Sequence, residues 1–69
     1  MSGMQIQLNG EPMTVAEGAT VITLLEQLAL TGKRLAVECN GHLVPRSQHA
    51  EQVLSVGDRI EIVEAMGGG

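Results

Sequence analysis

Few residues in this chain have chemistry to offer, and the most distinctive stand at the end of the sequence. Gly67, Gly68 and Gly69 follow directly on an apolar stretch. With no side chains there, the reactive group is the α-carboxylate of Gly69. A tail without Cβ atoms can thread a narrow channel and lie flat against a partner's backbone. It is expected to be flexible, because glycine loses the most entropy on ordering. A free carboxylate has a pKa of about 3.3–3.7, so it is anionic at neutral pH and a poor electrophile. Conversion to an acyl-adenylate with ATP supplies a good leaving group, after which a sulfur or nitrogen nucleophile can attack the Gly69 carbonyl. That scheme needs the tail, a rigid domain to be recognised, and a separate activating enzyme that uses the ATP. The chain itself is expected to bind no cofactor. Taken alone, three glycines are more simply a frayed terminus or a linker remnant, so the rest of the chain must carry the functional reading.

The other reactive types suggest little. Cys39 alternates with Leu35 and Val37, which places it on a buried face as a small hydrophobe. His42 and His49 are read as surface residues; their spacing lacks the companions that zinc requires, so no metal site is expected. No Ser–His–Asp grouping suggests hydrolysis. Arg46 and Arg59 are read as solvated charges or weak surface ion pairs, with pairing to a partner's acids as the alternative.

Composition narrows the classes further. Sixty-nine residues make one domain with a thin core. A chain this short leaves no room for a deep cleft between lobes. Phe, Tyr and Trp are all missing, so the core is aliphatic and base-stacking platforms are excluded. Eight acids against four bases give a net charge of −4; phosphate backbones are repelled on average, and no nucleic-acid partner is expected. That balance suits a basic patch on another protein, or solubility alone. A single cysteine rules out an internal disulfide framework and fits a reducing compartment. With no basic-then-apolar leader and no run long enough to span a membrane, a cytoplasmic location is expected.

The elements that would position the tail can be read from periodicity. Residues 4–9 alternate, with Met4, Ile6 and Leu8 on one face, and Asn9-Gly10 signals a hairpin turn into residues 12–15. Residues 20–31 read as a helix capped by Thr20, with Val21, Leu24, Leu25 and Leu28 as its stripe and Gly32 as a left-handed stop. Residues 35–40 alternate again, Asn40-Gly41 repeats the turn signal, and residues 42–46 form a short edge strand carrying Pro45. Residues 47–53 suggest a helical turn. Val56, Gly57 and Asp58 form a turn into a last strand over 59–66, with Ile60 and Ile62 inward. The order β-β-α-β-β-β predicts an α+β, β-grasp (ubiquitin-like) fold: a mixed sheet of about five strands with one helix on one face. Residues 1–66 form that domain and 67–69 the tail.

Several of these features together resemble one family: the sulfur carrier proteins of thiamine biosynthesis (ThiS). The resemblance runs from about Met4 to Gly69. It rests on the opening strand and turn, the helix from Thr20 to Leu28, Val44-Pro45-Arg46 shortly after Asn40-Gly41, and Gly57-Asp58 before a strand that runs into the three glycines. The sequence departs from an ideal capping box, because Thr23 stands where a Glu would pair with Thr20. The resemblance implies that an adenylyltransferase resembling ubiquitin-activating enzymes adenylates Gly69. A persulfide donor then displaces AMP to leave a thiocarboxylate, and thiazole synthase takes that sulfur. The chain would be a cosubstrate rather than an enzyme. The small subunit of molybdopterin synthase, a ubiquitin-like modifier and a plain interaction module with an inert tail are the alternatives. Besides Gly67 and Gly68, Val63 and Ala65 are candidate partner-binding residues. They fall opposite Ile60 and Ile62 on the open side of the sheet, beside Ala36, unless a register slip makes Val63 part of the core.

Overall fold

The computed structural model describes residues 3–64; residues 65–69, which hold Ala65 and the three glycines, lie outside the described residues. The elements in chain order are β1 (Gly3–Leu8), β2 (Glu11–Ala16), α1 (Val21–Gln27), β3 (Leu35–Cys39), β4 (His42–Val44), a 3₁₀ turn (Arg46–Gln48) and β5 (Arg59–Glu64). The strands form one sheet in the order β2-β1-β5-β3-β4. β5 runs parallel to β1 and antiparallel to β3, so the last strand in sequence is the central one in space.

Two hairpins of the same design frame that strand. Asn9 and Gly10 have φ of 50° and 86°, and Asn40 and Gly41 have 53° and 86°. Positive φ at both positions is the two-residue turn whose twist matches the flanking strands, and Asn followed by Gly is the pair that tolerates it. Pro12 sits on β2 and Pro45 just beyond β4, both at the edges of the sheet, where a missing N–H disrupts no ladder.

Alternation along the strands places Ile6, Val15, Val37, Cys39, Val44 and Ile60 beneath the helix, where they meet Val21, Leu24 and Leu25. Burying each large aliphatic side chain stabilises the fold by about 1.5–3 kcal/mol. Leu54, 2% exposed, is also part of this core. It sits in an irregular stretch with no periodicity to reveal it, held by its N–H donating to the Ala19 carbonyl at 2.8 Å.

The helix starts where the sequence expects and ends four residues early. At its start the Thr20 hydroxyl accepts from the Thr23 N–H at 3.2 Å, and the two hydroxyls lie 3.0 Å apart. The stop expected at Gly32 is instead at Ala29, whose φ of 60° is left-handed. Leu30 N–H donates to the Leu25 carbonyl at 2.8 Å and Ala29 N–H to Glu26 at 3.0 Å, the paired bonds that close a helix C-terminus. The closure turns Leu30 back so that it borders the same small cavity as Leu25 and Ile22. Gly32, with φ of 82°, turns the loop beyond.

Two further expectations are corrected. Arg46 is not in a strand, because Pro45 ends β4 and opens the 3₁₀ turn. His49 is not a surface residue: it is 4% exposed. Its Nε2 lies 3.0 Å from the Val44 carbonyl, an acceptor only, so that nitrogen carries the proton.

Alanine at a left-handed position costs roughly 1 kcal/mol relative to glycine. Ala29→Gly is expected to raise unfolding stability by about 1 kcal/mol, less the extra entropy of the unfolded chain. Urea denaturation followed by far-ultraviolet circular dichroism measures it; an unchanged or lower midpoint would show that Ala29 carries no such strain.

Candidate functional site

The candidate site is the end of β5 that leads toward residues 65–69, and the geometry there is built from backbone outward. Gly57 N–H donates to the Gln5 carbonyl at 2.8 Å and Gln7 N–H to Asp58 at 2.9 Å, which sets β5 against β1. The Asp58 carboxylate accepts from the Ser55 N–H at 2.8 Å through one oxygen and from Asn40 Nδ2 at 3.0 Å through the other. Asn40 Oδ1 in turn accepts the Arg59 N–H at 2.9 Å. On the other side of the strand, Asn9 Oδ1 accepts the Ile62 N–H at 2.9 Å, and Asn9 Nδ2 reaches the Ile62 carbonyl at 3.4 Å. Each turn asparagine therefore serves twice, once through its backbone conformation and once through its amide.

Val63 lies one residue beyond that grip. It is 65% exposed and pairs across the ladder with the exposed Ala36. Of the two readings open from sequence, Val63 is on the uncovered face rather than in the core. A shallow depression there is lined by Arg34, Leu35, Ala36, Arg46 and Val63. Sequence reasoning did not bring Arg34 to this place. Its hint was the adjacency of Lys33 and Arg34 to the strand that pairs with the end of β5. Arg46, read as a solvated charge, donates through Nη2 to the Lys33 carbonyl at 3.2 Å. Ala65, Gly67, Gly68 and Gly69 lie outside the described residues.

Glu38 and Glu61 are directly opposite each other on β3 and β5, and both are exposed. Like charges in that register repel. Glu38→Gln is expected to raise stability by about 0.5 kcal/mol at low ionic strength, with the gain shrinking as salt is added. Denaturation curves at two salt concentrations check this; a salt-independent change would point to packing rather than charge.

The remaining nucleophile is inert by position. Cys39 is buried, and burial pushes its thiol pKa upward, with the nearby Asp58 carboxylate adding to the shift by its charge and by a hydrogen bond. The thiolate is the reactive form, so Cys39 is expected to resist iodoacetamide at neutral pH in the native protein and to react once urea unfolds it. Modification of the native protein at the rate of a free thiol would contradict this placement. Among the described residues, no three His, Cys, Asp or Glu side chains are grouped to hold a metal ion. No helix among them is long and apolar enough to cross a membrane.

A five-stranded mixed sheet with one covering helix, parallel first and last strands at its centre, and a glycine-ended sequence leading off the last strand define a β-grasp protein. Residues 6–69 match the family model described as the ThiS family. The chain is 39% identical over 66 residues to the sulfur carrier protein ThiS of Escherichia coli (strain K12), a match covering 96% of this chain and 100% of that protein. The crystal structure of a thiamine biosynthesis protein (ThiS) from Geobacter metallireducens superposes with a TM-score of 0.82 at 35% identity, covering 96% of this chain and all (100%) of that one. Thiazole synthases of Paramagnetospirillum magneticum and Magnetococcus marinus are 38% and 41% identical over 66 residues; the chain spans only 20% of their length. The chain belongs to the ThiS family.

Proposed function

We propose that this chain carries sulfur for thiazole formation in thiamine biosynthesis, with the Gly69 carboxylate as the carrier group. The observation that supports this most is similarity to the whole of the E. coli sulfur carrier at 39% identity, together with a family match that runs from residue 6 to Gly69. The two thiazole synthases add support of another kind. Each holds a stretch similar to nearly all of this chain within a fifth of its own length, so a carrier-like module and a thiazole synthase occur in one polypeptide. Thiazole synthase is therefore the proposed acceptor.

The chemistry follows from the unreactive carboxylate. A separate adenylyltransferase joins the Gly69 carboxylate to the α-phosphate of ATP and releases pyrophosphate. The terminal sulfur of a persulfide attacks the acyl carbon, and AMP leaves with the electron pair of the acyl–oxygen bond. A thiolate then cleaves the S–S bond and leaves the thiocarboxylate. None of these steps needs a side chain of the carrier. The domain contributes recognition, and its Cys39 and His49 are buried. The chain is thus a cosubstrate, and Gly67, Gly68, Val63 and Ala65 are the proposed contacts with partners.

Mass spectrometry tests this reading. The protein is incubated with an adenylyltransferase, ATP and a persulfide donor, then fragmented at high resolution. Exchange of oxygen for sulfur is nearly isobaric with methionine oxidation, and the chain has four methionines. The gain must therefore fall on a fragment that contains Gly69 but not Met66, and it must require ATP. Stable higher-mass amide conjugates under reducing conditions would instead identify a protein modifier. Absence of both products would leave the tail inert.

A further inference from the structure

Asn9-Gly10 and Asn40-Gly41 share one sequence and one backbone shape, with φ of 50° and 53° at the asparagines and 86° at both glycines. All four residues are exposed, and nothing lies within 4 Å of the Cβ position at either glycine. An asparagine followed by glycine is prone to lose its side-chain amide, because no side chain shields the glycine nitrogen from the neighbouring amide carbon. By sequence the two turns are equally susceptible. They differ in what holds the amide. Asn40 Nδ2 donates to the Asp58 carboxylate at 3.0 Å and approaches Cys39 Sγ at 3.6 Å, while its Oδ1 accepts the Arg59 N–H at 2.9 Å. Asn9 Oδ1 accepts the Ile62 N–H at 2.9 Å, but its Nδ2 reaches only a neutral carbonyl, that of Ile62, at 3.4 Å. A hydrogen bond to an ionised acceptor is roughly twice as strong as one between neutral groups.

We propose that Asn9 is a site of spontaneous deamidation in the native protein, and that Asp58 guards Asn40 against the same reaction. The Gly10 nitrogen attacks Asn9 Cγ, forming a C–N bond and giving up its proton. The side-chain nitrogen takes up a proton and leaves as ammonia with the electron pair of its bond to Cγ. Water then opens the cyclic imide at either carbonyl, leaving aspartate or isoaspartate. Before attack, the amide must turn away from its partners, and that release is easier at Asn9 than at Asn40. The direct pairing of β1 with β5 stops at Leu8 and Ile60, so the Asn9 amide is what joins Ile62 to the first hairpin. A carboxylate there repels the Ile62 carbonyl instead of donating to it. Isoaspartate also adds a methylene to the main chain of a two-residue turn. Either product loosens β5 on its β1 side, while β3 still pairs with it as far as Glu64. This chemistry is independent of whether Gly69 carries sulfur.

The test compares the two sites within one unmodified protein. Native protein is incubated in mildly alkaline buffer, beside a sample kept unfolded in guanidinium chloride. Peptide mapping by high-resolution mass spectrometry follows the exchange of NH for O at each asparagine over time. In the native sample Asn9 is expected to convert about tenfold faster than Asn40, the factor that one hydrogen bond to a charged acceptor supplies. In the unfolded sample the two rates converge. Asp58→Ala is expected to raise the native rate at Asn40 toward that at Asn9 and to leave Asn9 unchanged; the wild-type comparison stands alone if this variant does not fold. Asn9→Asp, which carries one product of the reaction, is expected to speed amide hydrogen exchange at Ile62. Equal native rates at the two sites, or a faster rate at Asn40, overturn the proposal. So does the absence of native conversion at Asn9 over the time in which the unfolded chain converts. Unchanged exchange at Ile62 in Asn9→Asp overturns the loosening of β5.

Discussion

The hold of two asparagine amides on β5 is the constraint on which the rest depends. β5 enters the sheet between strands that belong to two different hairpins, and it pairs with β1 directly over only a short parallel stretch, Gln7 with Arg59 and Leu8 with Ile60. Asn9 extends that grip to Ile62, and Asn40 fastens the start of the strand to Asp58 and Arg59. An aspartate would suit either turn and could accept the backbone N–H. It could not also donate, as both amides do. With β5 fixed at both flanks, Ile60 stays in the core and Val63 on the open face.

A compact domain and the proposed carrier terminus make sense together as a division of labour. The aliphatic core packs around Leu24, Ile6, Ile60 and Leu54 with no aromatic residue. Its one thiol and the His49 imidazole are both buried. What distinguishes one face from another is charge and exposed aliphatic surface, of which Val63 lies near the end of β5 and Leu43, Val53 and Val56 lie elsewhere.

Much of this was legible in the sequence because the physical signals were local. Alternation identified the inward residues of β1, β3 and β5, and Asn-Gly identified both turns, since the pair is needed wherever two successive residues take positive φ. The helix end was missed because glycine is the usual left-handed stop, and Gly32 masked the possibility that Ala29 accepts the strain so that Leu30 can return to the core. His49 was misplaced because its partner, the Val44 carbonyl, becomes available only after Pro45 turns the chain. Leu54 was invisible for a related reason: its burial is fixed by Ala19, far away in sequence. The gathering of Arg34 and Arg46 follows from the antiparallel register of β3 on β4 carried to the open end of the hairpin; the Asn40-Gly41 turn was read from sequence, but the pairing was not extended as far as these residues.

The central position of β5 has a consequence for how the molecule comes into being. The bond from Ile62 N–H to the Asn9 amide spans 53 residues of sequence, and non-local pairings of this kind slow folding because loop closure must precede the contacts that reward it. On the ribosome the first hairpin emerges early and waits with one side of β1 unpaired until the last strand arrives. Neither hairpin can complete the sheet without it. Assembly of the recognisable body is therefore a signal that synthesis has reached β5. A partner that reads the folded face would pass over chains cut short before that strand.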